Sequence, residues 1–246
     1  MTLRLAAEPV PGLPEIEPGA DLAALIVATG VEVGGEDVVV VSQKIVSKAE
    51  DRLVRLADVT PSPRARDLAE RLAKEPEMVQ LVLDESIQVL RAERGVLIVR
   101  THHGLVCANA GVDRSNLPAG DLACLLPLDP DASARRLRAA LPGRPAVVVA
   151  DSFGRAWRLG QADIAIGCAG LSPLHDRRGS PDHEGRELDA AVDAVADQAA
   201  SAAALVRDKA GREAVVVVRG LSRYVTEDDG PGAAAIVRPR AEDLFT

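Results

Sequence analysis

The stretch Ala146-Val147-Val148-Val149-Ala150-Asp151-Ser152-Phe153-Gly154 decides the fold. Five small or β-branched apolar residues in unbroken succession fit a strand buried on both faces, since a solvated face would put polar residues at every second position. The run then meets Asp, Ser and Gly, which read as the end of the strand, where a sheet presents side chains to a crevice. Three further runs, Val38–Val41, Val96–Val99 and Ala214–Val218, share the pattern and predict companion strands in a mixed sheet. Between them, Arg64–Lys74, Ser133–Ala140 and Leu188–Lys209 set Ala, Val and Leu three or four apart with charges interspersed, as core-facing helices require. Leu188–Lys209 is the longest predicted helix. Strands and helices interleave without a regular βαβ beat, so the expected class is α+β (mixed α/β), with mixed sheets and packed helices. Residues 1–246 read as a single domain with room for two subdomains. Thr60–Arg64, Pro127–Ala132 and the charged His175–Arg186 read as turns or loops.

Composition narrows the function classes. The 246 residues are 47% hydrophobic and 27% charged, an ordinary globular balance. No apolar run approaches the roughly 18–20 residues of a membrane helix. The formal charge of -8 disfavours general attraction to nucleic acid or anionic lipid, so an anionic ligand would need a local basic pocket. With one Trp, one Tyr and two Phe, a base-stacking platform is not expected. Cys107, Cys124 and Cys168 are odd in number and widely spaced, which fits neither a disulfide framework nor a zinc site. The first residues lack the apolar core of a signal peptide, and a reducing, cytoplasmic setting is expected.

Several familiar chemistries are missing. The sequence has no P-loop, nucleophile elbow or H-E-x-x-H helix. Gly230-Pro231-Gly232-Ala233-Ala234-Ala235 formally satisfies G-x-G-x-x-A, yet it follows an acidic stretch rather than a strand. His102 and His103 read as surface residues, because neighbours on a strand face opposite ways. Asp182-His183-Glu184 reads as a solvated charged loop with the makings of a ligand set.

Asp151 closes one strand, and Asp113 lies in Asn109-Ala110-Gly111-Val112-Asp113-Arg114-Ser115-Asn116, a small-residue stretch after another expected strand. Two carboxylates and the Ser152 hydroxyl are hard oxygen donors suited to Mg²⁺ or Mn²⁺. Capping of turns and helix starts is the reading that position alone favours for such residues at strand ends, with the metal reading left open beside it. Beyond Asp151, Arg155, Arg158, Trp157, two Gly and Gln161 fall within a dozen residues. Arg forks take carboxylate or phosphate in bidentate fashion, and Gly admits close backbone approach. Lys44 and Lys48, in an expected strand-end loop Ser42–Lys48, could meet phosphates as point charges.

Five segments in this order resemble the coenzyme F-420:L-glutamate ligase (F-420-0:gamma-glutamyl ligase) family: Gly12–Ile16, Ser42–Lys48, Ala110–Asn116, Asp151–Gln161 and Val217–Gly220. The resemblance spans nearly the whole chain, and D-[ST]-F-G-R-x-W-R-x-G-Q is distinctive by itself. It implies a GTP-dependent amide ligase that adds L-glutamate to the deazaflavin coenzyme F-420 precursor and then extends it through gamma linkages. It implies Mg²⁺ or Mn²⁺, K⁺ as an assisting cation, and an intertwined homodimer. By the same resemblance Asp113, Asp151 and Ser152 correspond to metal ligands. Leu13, Pro14, Glu15, Ile16, Gln43, Lys48 and Asn116 correspond to guanine-nucleotide contacts. Arg155, Arg158 and Gln161 are extrapolated to substrate or phosphate binding, and no general base is assigned. The chain departs from the family at Leu188-Asp189-Ala190-Ala191 and Ala196-Asp197-Gln198, and at Val206-Arg207-Asp208-Lys209, where archaeal members offer a further metal ligand. A protonated Lys209 cannot ligate, which leaves Asp208 as the substitute. A metal-dependent nucleotide hydrolase or phosphotransferase using the same Asp pair is the alternative function, and a non-catalytic deazaflavin or nucleotide binder is a third.

Overall fold

A computed structural model describes residues 4–117, 121–208 and 213–244. In chain order the elements are β1 (Ala6–Pro9), α1 (Leu22–Ala28), β2 (Val38–Ser42), α2 (Gln43–Ala49), β3 (Leu53–Arg55), α3 (Pro63–Leu72), α4 (Pro76–Asp84), β4 (Ser86–Glu93) and β5 (Val96–Thr101). They continue with β6 (Val106–Ala108), β7 (Leu122–Cys124), α5 (Pro130–Ala140), β8 (Ala146–Arg155), β9 (Arg158–Ala169), β10 (His175–Asp176), β11 (Val192–Asp193), α6 (Val195–Val206) and β12 (Val215–Arg219).

The main sheet runs β1-β12-β2-β8-β9, with only β2 and β8 parallel. Its Val-rich strands split by residue parity. Val39, Val41, Val147, Val149, Val215 and Val217 enter one core with α1, α2 and α5. Val38, Val40, Val148, Val216 and Val218 enter a second core with Ala196, Ala199, Ala200 and Ala203 of α6. This follows from a strand period of two, and it explains why no polar residue interrupts these runs. A third core gathers α3, α4, β5 and Leu125 beside smaller sheets β4-β5-β6 and β3-β7. The class is mixed α and β with mixed sheets, as expected.

Helix α3 shows how local sequence sets an end. Ser62 Oγ accepts the Ala65 amide at 3.2 Å and Pro63 occupies the first turn, where its missing N–H costs nothing. Ser62→Ala should therefore lower stability by about 1 kcal/mol in urea denaturation with the m-value unchanged.

Some expectations are corrected. The long helix predicted for Leu188–Lys209 begins only at Val195 and ends at Val206; Lys209 lies outside the described residues. The preceding segment is drawn into backbone pairing instead: Leu188 N–H donates to Ser180 O at 2.9 Å, and β11 pairs with β10. Tertiary hydrogen bonding overrides apolar spacing there. The expected loop Ser42–Lys48 is largely helix, since α2 starts at Gln43 and buries Ile45 and Val46 against the main sheet. Two neighbouring β-branched residues in a seven-residue helix leave too short a period to detect. Asp151 does not end its strand: β8 continues to Arg155 and returns as β9, with Phe153 still in the core and the tip exposed. Pro63, Arg64 and Pro130–Ala132, read as loop, open α3 and α5. His102 and His103 lie in a turn after β5, with ring nitrogens on the backbone oxygens of Asp84 and Pro127.

Candidate active site

A cavity of about 830 Å³ opens where the N-terminal loop, α2, the turn after β6, the β8–β9 hairpin and the end of α6 meet. The size suits a nucleotide or a comparable ligand. Helix α2 supplies Lys44 and Lys48, which at a spacing of four share one face. Lys48, nearly buried, is ion-paired with Glu15 and donates to Asn116 O at 2.9 Å, tying together three distant segments. Gln43 is buried and its Oε1 accepts the Ser47 hydroxyl at 2.8 Å. Leu13, Pro14 and Ile16 also line the cavity. The whole expected nucleotide set is therefore at one place.

Asp113 sits in the turn after β6, reached through left-handed Asn109 (φ 53°) and Ala110 (φ 53°). Its Oδ1 accepts the Ser115 amide at 2.9 Å, the local turn bond that capping would give. Its Oδ2 takes the Ser115 hydroxyl at 2.6 Å and an ion pair with Lys44. Burial pushes this carboxyl up, but the hydrogen bonds from Lys44 and Ser115 outweigh it and hold the group below the usual carboxylate range. Asp151 goes the other way: burial first, then the nearby charges of Asp163 and Asp113, push it to about 6, against the Ser152 amide and Lys44. Two carboxyls on one wall thus differ in proton affinity because burial dominates at Asp151, whereas hydrogen bonds from Lys44 and Ser115 dominate at Asp113.

Asp163 on β9 is the residue that sequence reading passed over. It is buried, its Oδ1 accepts the Ser152 hydroxyl at 2.6 Å, and its Oδ2 meets Arg207 Nη1 at 3.2 Å. Its backbone oxygen accepts the Ser201 hydroxyl, which locks α6 to β9. The only sequence signal was an Asp two residues beyond Gln161 in the hairpin motif. Arg207 and Asp208 also line the cavity. Burial lowers the Arg207 guanidinium's proton affinity and Asp163 opposes the change. Cys107 lies on the same wall, with its thiol pushed up to about 12 by burial and by Asp151, so it is not a nucleophile at neutral pH.

The extrapolated set divides. Gln161 and Gly154 line the cavity, whereas Arg155 and Arg158 stand at the exposed hairpin tip, where Arg155 Nη2 donates to Leu159 O at 2.8 Å. Trp157 and Leu159 at that tip are 82% and 96% exposed. The G-x-G-x-x-A segment is a capped turn: the Asp131 carboxylate accepts the Ala233 and Ala234 amides at 2.7 and 3.2 Å, which leaves those donors taken. Asp182 likewise spends Oδ1 on the Glu184 and Arg186 amides, and His183 faces solvent. Asp197 of α6 accepts the Ala165 amide at 2.9 Å.

Asp113, Asp151 and Ser152 present oxygen donors to one cavity, and Asp151 is raised partly by like charge, so the set fits a divalent cation. Among the described residues no three His, Cys, Asp or Glu side chains form a metal-binding group by themselves. Among the described residues no helix is long and apolar enough to cross a membrane.

The F420-0:Gamma-glutamyl ligase family model matches residues 12–220. The coenzyme F420:L-glutamate ligase of Methanothermobacter thermautotrophicus is 42% identical over 246 residues, covering 96% of this chain and 96% of its own. That of Methanopyrus kandleri is 42% identical over 250 residues, covering 99% and 98%. That of Archaeoglobus fulgidus is 44% identical over 225 residues, covering 89% of each. The chain belongs to the F420-0:gamma-glutamyl ligase family.

Proposed function

We propose that this family member joins L-glutamate to the deazaflavin coenzyme F420 precursor through an amide bond, with GTP as the activating co-substrate, and then extends the chain by gamma-linked residues. The observation that carries the reading is the convergence of Glu15–Lys48–Asn116, Lys44–Asp113 and Asp151 on one cavity of nucleotide size. A carboxylate oxygen is a poor leaving group, so condensation with an amine needs prior activation. In the proposed sequence a carboxylate oxygen of the precursor attacks the gamma phosphorus of GTP, the bond to the bridging oxygen breaks, and GDP leaves. The glutamate amine then attacks the acyl carbon, the C–O bond to phosphate breaks, phosphate departs with that electron pair, and the nitrogen gives up one proton to solvent or to the departing phosphate. Phosphoryl transfer of this kind depends chiefly on positioning and charge stabilisation.

Lys48 and Lys44 supply positive charge on one helix face, where point charges suit phosphate oxygens. Asp113, Asp151 and Ser152 would hold Mg²⁺ or Mn²⁺, which when bound supplies charge neutralisation at the phosphates. K⁺ is the proposed assisting cation. Leu13, Ile16 and Phe153 contribute apolar wall to the cavity, and keeping water from an activated acyl group would protect it from hydrolysis. A cytoplasmic homodimer is the proposed assembly.

The purified protein incubated with GTP, MgCl₂ or MnCl₂, L-glutamate and unglutamylated precursor should give glutamylated product by mass spectrometry, with matching GDP release, only when every component is present. GDP release indifferent to glutamate and precursor would instead establish the hydrolase alternative.

A further inference from the structure

The Arg207 side chain is 6% exposed and lines the cavity, yet its only hydrogen-bonding contact among the described residues is Nη1 to Asp163 at 3.2 Å. Nε and Nη2 are buried without a hydrogen-bond partner. These two nitrogens form a single edge of the guanidinium fork, the edge that accepts two oxygens of a carboxylate or phosphate side by side. Another buried arginine behaves differently. Arg138 commits both terminal nitrogens, to Asp229, Thr226 O and Glu227 O, and leaves only Nε. Its role in tying α5 to the 226–229 segment is complete without a ligand. Arg207 has no such completion, and an unsatisfied buried cationic donor is among the costlier arrangements a fold can keep.

Neutralising Asp163 does not account for that edge. A single 3.2 Å contact uses one of five donors, and Asp163 already accepts the Ser152 hydroxyl at 2.6 Å. Arg207 follows α6 directly in an extended conformation (φ -75°, ψ 122°), beside the wall that carries Ser152 and Asp151. The anion-binding capacity expected of Arg155 and Arg158 is at the hairpin tip, away from the cavity lining of this chain.

We propose that Arg207 is an oxyanion-binding residue of the cavity, which engages a phosphoryl or carboxylate group of a ligand through its Nε–Nη2 edge. The proposal rests on the ligase reading for the identity of that ligand, but not for the binding itself. The edge is shielded from water, so a ligand reaches it by a rotamer change that gives up the 3.2 Å contact to Asp163.

The test compares the full-length protein with R207K, which keeps the charge and loses the fork, and with R207Q. Calorimetric titration with inorganic tripolyphosphate and, separately, with L-glutamate requires no catalysis. Steady-state KM for GTP and for glutamate are then measured in the ligation assay. A loss of about tenfold or more in R207K for tripolyphosphate and GTP assigns the edge to a phosphoryl group; the same loss confined to glutamate assigns it to a carboxylate. Constants within twofold of wild type for both ligands, in variants with native circular dichroism, overturn the proposal. Where a single variant does not fold, D163N/R207Q removes both charges together and the same titrations decide. A wild-type protein that binds tripolyphosphate through Arg207 but forms no amide refutes the ligase reading and leaves this one standing.

Discussion

Asp151→Asn folds, melts higher than wild type at pH 8 in metal-free buffer, and loses about three orders of magnitude or more of ligase turnover. Both effects come from one carboxyl. In the folded protein burial, with Asp163 and Asp113 behind it, raises Asp151 to about 6, whereas an unfolded chain holds an ordinary Asp near 3.9. A folded value above the unfolded one means that the native state binds the proton more tightly, so stability is full below about pH 4 and falls as pH rises through 6. Two units correspond to a cost of up to about 3 kcal/mol above pH 6, which the neutral amide removes. For a chain of this size that is a gain of about 5–10 °C at pH 8, shrinking towards zero near pH 4. Thermal melts across that range measure it. The same destabilising charge is what a divalent cation and nucleotide phosphates would answer, so a ligand held by ionised Asp151 should weaken as pH drops below 6. A variant with near-native turnover in metal-replete buffer would remove Asp151 from the metal set.

The strands were legible where chemistry was uniform. Val38–Val41 and Ala146–Ala150 are buried on both faces, so every residue had to be apolar and the run announced itself. Helix α2 was hidden because seven residues with adjacent Ile45 and Val46 carry no clear period, and β9 because its outer part, Arg158–Gln161, is exposed and has no apolar alternation towards the core. The start of α6 was misplaced because Leu188–Asp193 satisfies its backbone against residues 175–180, a long-range choice that no local pattern encodes. For the site, the motif order identified the segments that line the cavity, but the pairings could not be read. Lys44 meets Asp113 across 69 positions and Lys48 meets Glu15 across 33. Asp163 and Arg207 meet across 44, and neither has meaning for chemistry until β9 and the end of α6 are brought together.

Gly167→Ala should be the most damaging single methyl group in the main sheet. Gly167 lies on β9 opposite Val149, and a Cβ built there meets Pro130 O at 2.3 Å and Pro130 C at 2.4 Å. Pro130 is the first residue of α5, and the atoms in the way are backbone, so no side-chain rotation relieves the contact. Moving α5 breaks its anchorage. Asp131 Oδ1 accepts the Cys168 and Ala233 amides at 2.8 and 2.7 Å, and Asp129 caps the helix through the Ala132 amide at 2.8 Å. The cost should reach about 3 kcal/mol or more, lowering the melting temperature by about 10 °C. Gly154→Ala is the control on the same hairpin: its Cβ meets nothing within 4 Å, and its melting temperature should stay within about 2 °C of wild type. Because β9 also carries Asp163 and Gln161, residual folded Gly167→Ala should bind tripolyphosphate less tightly than Gly154→Ala at equal folded fraction. Equal melting temperatures for the two variants would show that α5 can yield at Pro130, and that this contact does not fix the depth at which β9 sits beside the cavity.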